Sequence, residues 1–118
     1  MALPEFKQLV DEAKRNIKEI DVNQLKQMQK AGEEFTLIDV RDHPEVANGM
    51  IPGAQHLTRG MLEVNIDQIT TDKNKPVVLY CGGGSRSALA ADSLKKMGFK
   101  NVISVAGGWK AWKESSGG

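Results

Sequence analysis

The sequence predicts an α/β domain whose mostly parallel sheet is covered by helices on both faces. Short apolar runs of strand character alternate with segments whose apolar residues fall at helical spacing. The intervals between strand candidates are too long for hairpins, which favours crossover connections and parallel pairing. The 118 residues contain no internal repeat, low-complexity block or long polar linker, so one domain with a self-sufficient core is expected.

The opening "LPEFKQLVDEAKRNI" sets Phe6, Leu9, Val10, Ala13 and Ile17 at helical spacing, with Pro4 suited to a first turn. "IKEI" is a short strand, and "DVNQLKQMQKAG" a helix capped by Asp21 and stopped by Gly32. "EFTLIDV", residues 34–40, reads as a buried strand. "RDHPEVANGMIPGAQHL" is loop-rich, with a helical turn at Pro44–Ala47 and a brief strand near Ala54–Leu57. Residues 59–69 read as a short helix and "TTDKNK" as a polar turn. A strand at 76–80, a glycine loop, a helix at 86–97 and a strand at 101–105 follow. "AGGWKAWKES" closes the domain with a short helix, on which Trp109 and Trp112 cover the core.

Composition excludes several classes of function. The net charge is +1, with 26% charged residues, so neither nucleic acid nor an acidic membrane surface is an implied partner. No apolar segment approaches the ~20 residues that span a bilayer, and the N-terminus lacks the order of a secretory signal. A single cysteine builds neither a disulfide framework nor a cysteine-based metal site, and it suits a reducing, cytoplasmic setting. His43 and His56 have no metal-like partners in the pattern and read as structural, so no metal is expected.

That cysteine stands in "VVLYCGGGSRSALAADSLKKMG", where an apolar strand ends at Cys81 and three glycines lead into a helix. In such sheets the ligand crevice lies beyond the carboxyl ends of the strands, where both Asp39 and Cys81 fall. Gly82, Gly83 and Gly84 let the backbone curl round the sulfur, so that successive amides form a nest of donors. The helix start adds its own free amides and dipole. A thiol so placed drops from ~8.5 to roughly 3.5–7.5, and Cys81 is expected to be a thiolate without a histidine base. The same nest would hold an oxyanion or persulfide beside the sulfur. Ser85 and Ser87 are candidate hydroxyl donors to a substituted sulfur, with a plain helix-capping role as the alternative. Arg86 either clamps an anionic substrate or simply opens the helix in water. It follows Cys81 after four residues, one fewer than in the C-x5-R loop of cysteine phosphatases, and the tighter ring favours a sulfur carried on Cys81 itself.

Four elements in order then carry a family resemblance: Asp39-Val40-Arg41, Gly49-x-Ile51-Pro52-Gly53-Ala54, the loop from Cys81 to Arg86, and Gly107-Gly108-x3-Trp112. Together they resemble the single-domain rhodaneses, the thiosulfate sulfurtransferase-like proteins, over residues 18–115. Residues 1–17 are left as an N-terminal helical extension and 116–118 as a tail. The resemblance implies a rhodanese-like fold with a mainly parallel five-stranded sheet and helices on both faces. It also implies a double displacement through a Cys81 persulfide, without metal or organic cofactor. Thiosulfate or a persulfide, including one on a protein, would donate sulfur, and cyanide or a thiol would accept it. Gly82, Gly83, Gly84, Ser85, Arg86 and Ser87 would bind substrate. A docking or sulfur-relay module with little turnover is the rival outside enzymology, and a cysteine phosphatase or arsenate reductase the rival within it.

Two departures from the family pattern stand out. Met50 replaces a frequent histidine in a structural turn. Gly82 and Gly83 stand where relatives that use thiosulfate well place basic residues, so poor thiosulfate turnover and a bulkier donor are expected. Around the loop, Asp39 is expected to hold the ring in shape by accepting hydrogen bonds. Arg41 is expected to pair with Glu45, four residues on, and Arg59 to line the pocket entrance or lie on the surface. Lys95, Lys96, Lys100, Lys110 and Lys113 read as a solvated face.

Overall fold

A computed structural model describes residues 2–116. The expected tail at 116–118 lies, beyond Ser116, outside the described residues. Five parallel strands form one sheet: β1 (Lys18–Ile20), β2 (Thr36–Asp39), β3 (Gln55–His56), β4 (Val77–Tyr80) and β5 (Val102–Val105), in spatial order β1-β5-β4-β2-β3. The helices are α1 (Pro4–Arg15), α2 (Val22–Lys30), α3 (His43–Val46), α4 (Leu62–Asn65), α5 (Ser85–Lys96) and α6 (Gly108–Ser115). Every residue of β2, β4 and β5 is buried, as expected of strands covered on both faces.

Strand parity decides which side chain serves which face. Leu37, Val78, Tyr80, Ile103 and Val105 pack with Leu25 of α2 and with Trp109 and Trp112 of α6. The alternate residues Ile38, Val40, Val77, Leu79, Cys81 and Val102 pack with Leu62 of α4 and with Ala90, Ala91 and Leu94 of α5. Period-two alternation therefore delivers the Cys81 side chain to the α5 side and turns Tyr80 to the other.

Local chemistry explains most boundaries. Asp21 and Gln24 exchange 2.8 Å bonds with each other's amides, a capping box that starts α2. Pro4 occupies the first turn of α1, where its missing amide costs nothing. The expected helix at 59–69 is instead α4 between two 3-10 turns, Arg59–Met61 and Ile66–Gln68. Only Leu62 and Ile66 anchor it in the core, while Val64 is exposed, and so short a segment cannot sustain a longer helix alone. The expected apolar stripe of α1 is also narrower. Val10 and Ala13 meet Ala88 of α5, but Leu9 is 58% exposed, being one residue, or about 100°, off that seam. No helix among the described residues is long and apolar enough to cross a membrane.

Val10 and Ala13 of α1 and Ala88 of α5 form the buried centre of this seam, flanked by Phe6, Ile17 and Leu89. Ala13→Leu is expected to overpack it by about 1–3 kcal/mol, read as a lower urea midpoint at unchanged slope. An unchanged midpoint would mean that α1 is only loosely attached.

Candidate active site

β4 ends at Tyr80, and the chain turns at once through Cys81–Gly84 into α5. Gly84 sits at φ 109°, a left-handed conformation natural to glycine, and this turns the loop back over the sulfur. The amides of Gly84 and Ser87 donate to Cys81 Sγ at 3.1 and 3.4 Å, and the Ser87 hydroxyl lies 3.5 Å from it. Ser87 Oγ is 2.8 Å from Ser104 Oγ on β5, so Ser104 can donate to Ser87 while Ser87 donates to an ionised sulfur. Burial pushes the Cys81 thiol up. The Ser87 hydroxyl and the amides of Ser87, Gly84 and Gly83 outweigh it, and the net shift is below the ordinary thiol value.

A second helix holds the loop from behind. The amides of Trp109 and Lys110, in the first turn of α6, donate to the carbonyls of Cys81 and Gly82 at 2.8 and 3.1 Å. This approach depends on Gly108, at φ 50°, where a Cβ would fall 2.2 Å from the Cys81 carbonyl oxygen.

Asp39 and Arg41 are buried together at the end of β2. The Arg41 backbone amide and guanidinium both bond the Asp39 carboxylate, with Nη2 to Oδ2 at 2.8 Å. Arg41 also donates to the carbonyls of Glu45 and Gly49, and its guanidinium lies 4.7 Å from the Trp109 ring centroid. Burial alone would lower the Arg41 pKa, but the Asp39 carboxylate reverses this and the net shift is upward.

The expected Arg41–Glu45 ion pair does not form. Arg41 meets only the Glu45 carbonyl, because α3 begins at His43 and the two residues do not share a helical face. The Glu45 carboxylate instead binds Arg86 through both oxygens, at 2.7 and 2.9 Å. Arg86 lowers the Glu45 pKa to about 2 and is itself raised by the same contact. Of the two readings of Arg86, a free cation in water is thereby replaced by a paired one at the loop's edge. Ser85 opens α5 and is half-buried, Gly82 is half-buried, and Gly83 is exposed at the rim.

Arg59 is engaged elsewhere. Its guanidinium bonds Glu63 at 2.8 Å and lines a groove of about 250 Å³ with Leu9, Glu12 and Ala13 of α1 and Leu89, Ser93 and Lys96 of α5. The His43 and His56 rings meet edge to face at 4.8 Å, and His56 Nε2 lies 2.6 Å from the Arg41 carbonyl. The sequence alone leaves three participants without their true roles. Ser104 was signalled only as the polar residue of an otherwise apolar strand, and Gly108 as half of a glycine pair before a helix. Glu45 was seen but given the wrong partner.

A parallel α/β sheet with a cysteine at a strand end, ringed by amides of the next helix, defines a class of proteins whose one thiol sits in a cradle of backbone donors. A sequence model of the rhodanese-like domain matches residues 21–115, and the chain belongs to that family. It is 44% identical over 97 residues to YtwF of Bacillus subtilis, covering 82% of this chain and 91% of that one. It is 38% identical over 101 residues to the thiosulfate sulfurtransferase GlpE of Shewanella oneidensis, covering 86% and 97%. Among solved structures it is similar to RPA3614 of Rhodopseudomonas palustris, described as a protein of unknown function and possible tyrosine phosphatase. That match has a TM-score of 0.87 at 34% identity, covering 98% of this chain and 95% of that one.

Two measurements test this geometry. Gly108→Ala is expected to displace the loop, lowering thermal stability and slowing Cys81 alkylation severalfold; wild-type values for both would show that α6 does not hold it. In wild type, the pH midpoint of alkylation by iodoacetamide should fall below that of free cysteine, and Ser87→Ala should move it back up. By linkage, the depressed thiol adds stability above the unfolded value near ~8.5, and loses that contribution as pH falls through the folded value.

Proposed function

We propose that this protein is a sulfurtransferase that moves sulfane sulfur through a persulfide on Cys81. The observation that carries the reading is the ring of donors on Cys81 Sγ, from the amides of Gly84 and Ser87 and the Ser87 hydroxyl. The Cys81 thiolate attacks the outer sulfur of a donor. With thiosulfate, the new S–S bond forms as the old one breaks, sulfite leaves with the electron pair, and Cys81–S–S⁻ remains. Attack by cyanide or a thiolate on the terminal sulfur then returns the Cys81 thiolate and releases thiocyanate or a new persulfide. No net oxidant is consumed. This is nucleophilic catalysis with two half-reactions, so ping-pong kinetics is its signature. The fixed amides stabilise negative charge before and after each transfer without reorganising.

The likeness to RPA3614 keeps phosphoryl chemistry in view, but the loop argues against it. Four residues separate Cys81 from Arg86, and the arginine a phosphate would need is held by Glu45. Asp39 is bound to Arg41, so neither carboxylate is free to protonate a leaving group. A reducing cytoplasm, where the single thiol stays unoxidised, suits the reading.

Incubation with thiosulfate or an alkyl persulfide, followed by intact-mass measurement, should show a gain of about 32 Da that Cys81→Ser abolishes. Hydrolysis of an aryl phosphate with no such mass gain would overturn the proposal.

A further inference from the structure

We propose that Glu45 sets donor specificity: by holding the Arg86 guanidinium in a two-point ion pair, it cancels the loop's own cation and favours persulfides of low charge over doubly charged thiosulfate. The inference rests on the sulfur-transfer reading above and names the substrate class of that same site.

The position of the pair makes it a rim element. A Cβ built on Gly82, next to Cys81, would lie 3.2 Å from Arg86 Nη2 and 3.8 Å from Glu45 Oε2. Both charges therefore border Gly82, the residue that follows Cys81. Arg86 is close enough for the Cys81 charge to contribute to its raised pKa. It is the only cation within the sequence Cys81–Ser87.

Glu45 is also fixed in advance. Its carbonyl accepts from Arg41 at 3.2 Å, and its Oε1 accepts from the Asp42 amide at 3.0 Å. With its carbonyl bound to a buried arginine and its carboxylate tied to a helix start, Glu45 has little freedom, and Arg86 comes to it. The two parallel N–H···O bonds are the strong bidentate arrangement. At a Glu45 pKa of about 2, the pair stays charged at any ordinary assay pH.

The remaining stabilisation of the sulfur comes from neutral groups, amides and a hydroxyl, which favour one negative charge at one point. Thiosulfate brings two charges, and its sulfonate end must lie outward, towards the rim, when its outer sulfur faces Cys81. There it meets a carboxylate beside the guanidinium. An alkyl persulfide, R–S–SH, brings at most one charge, on the sulfur being transferred, and presents a neutral tail to the rim. Its transfer balances simply: the Cys81 thiolate takes the outer sulfur, and R–SH leaves with the proton.

The test compares wild type, Glu45→Gln and Glu45→Gln/Arg86→Gln with sodium thiosulfate and with 2-hydroxyethyl persulfide, reading Cys81 persulfidation by intact mass over time. Glutamine keeps an acceptor for the Asp42 amide but removes the charge. Glu45→Gln should raise kcat/KM for thiosulfate roughly tenfold, mainly through KM, with the gain shrinking as salt rises. The persulfide should change less than about twofold, and the double variant should lose the gain. Lys110, exposed on α6, is common to all three proteins and cancels in the comparison. Equal changes for both donors, no change, or a gain that survives loss of Arg86 would overturn the inference. Should Glu45→Gln not fold, the wild-type donor ratio decides: a kcat/KM for thiosulfate equal to that for the persulfide overturns it. If wild type takes sulfur from neither donor, the sulfur-transfer reading itself fails, an outcome distinct from every other.

Discussion

The site depends on the anchoring of two carbonyls. A trans peptide is a rigid plate with its C=O and N–H pointing in opposite directions. When the first turn of α6 captures the carbonyls of Cys81 and Gly82, those plates cannot rotate. The Gly82 carbonyl faces α6, so the Gly83 amide of the same plate faces away from α6, and it adds to the downward shift of the thiol. The amides of Gly84 and Ser87 complete the ring as α5 begins. One helix start thus supplies donors to the sulfur, and another fixes the backbone that aims donors at it. Both use amides that a helix leaves unpaired, so the site satisfies groups that would otherwise need solvent or caps.

The buried Asp39–Arg41 pair ties this apparatus to the sheet. Such a pair gains little against apolar residues of the same size, yet losing one partner costs about 3–5 kcal/mol because the other charge is stranded. Its value here is connectivity. Asp39 ends β2, Arg41 reaches the carbonyls of Glu45 and Gly49, and its guanidinium lies over the Trp109 ring of α6. A Cβ at Gly49 would press within 3.3 Å of the same indole. A path of direct contacts therefore runs from the end of β2 through Arg41 and Trp109 to the turn of α6 that grips the loop.

What the sequence reveals follows the range of the forces involved. Strand–loop–helix order, the curl at the glycines and the depressed thiol were legible because they rest on neighbours in the chain. The apolar run of β4, the glycines, and the start of α5 lie within residues 77–87. Asp39 was legible as an acceptor of hydrogen bonds, and the residue that donates them, Arg41, follows it by two positions. Glu45 was misassigned because the i, i+4 rule assumes a helix spanning both residues, whereas α3 starts after Arg41 and the true partner is 41 residues away. Ser104 was missed for the same reason, since only the β4–β5 pairing and the first turn of α5 bring it to Ser87. The helix expected at 59–69 failed differently. Its apolar residues had the right period but too few of them found a core.

Holding the sulfur with amides rather than with a free cation has a consequence for turnover. A cation beside Cys81 would favour the thiolate, but it would also favour any anion that could replace the substrate and would hold a departing sulfite. Amide dipoles are short-ranged and fixed, so they favour negative charge at the sulfur and much less a few ångströms away. In the double displacement proposed above, the negative charge passes between Cys81 Sγ and the outer sulfur bonded to it, so the donors on Sγ would have to serve both positions. A carrier of that kind needs near-balance: a persulfide too well stabilised would never be given up, and one too poorly stabilised would never form. Pairing Arg86 with Glu45 would favour that balance, because the one strong charge in the loop is met by its opposite before any substrate arrives.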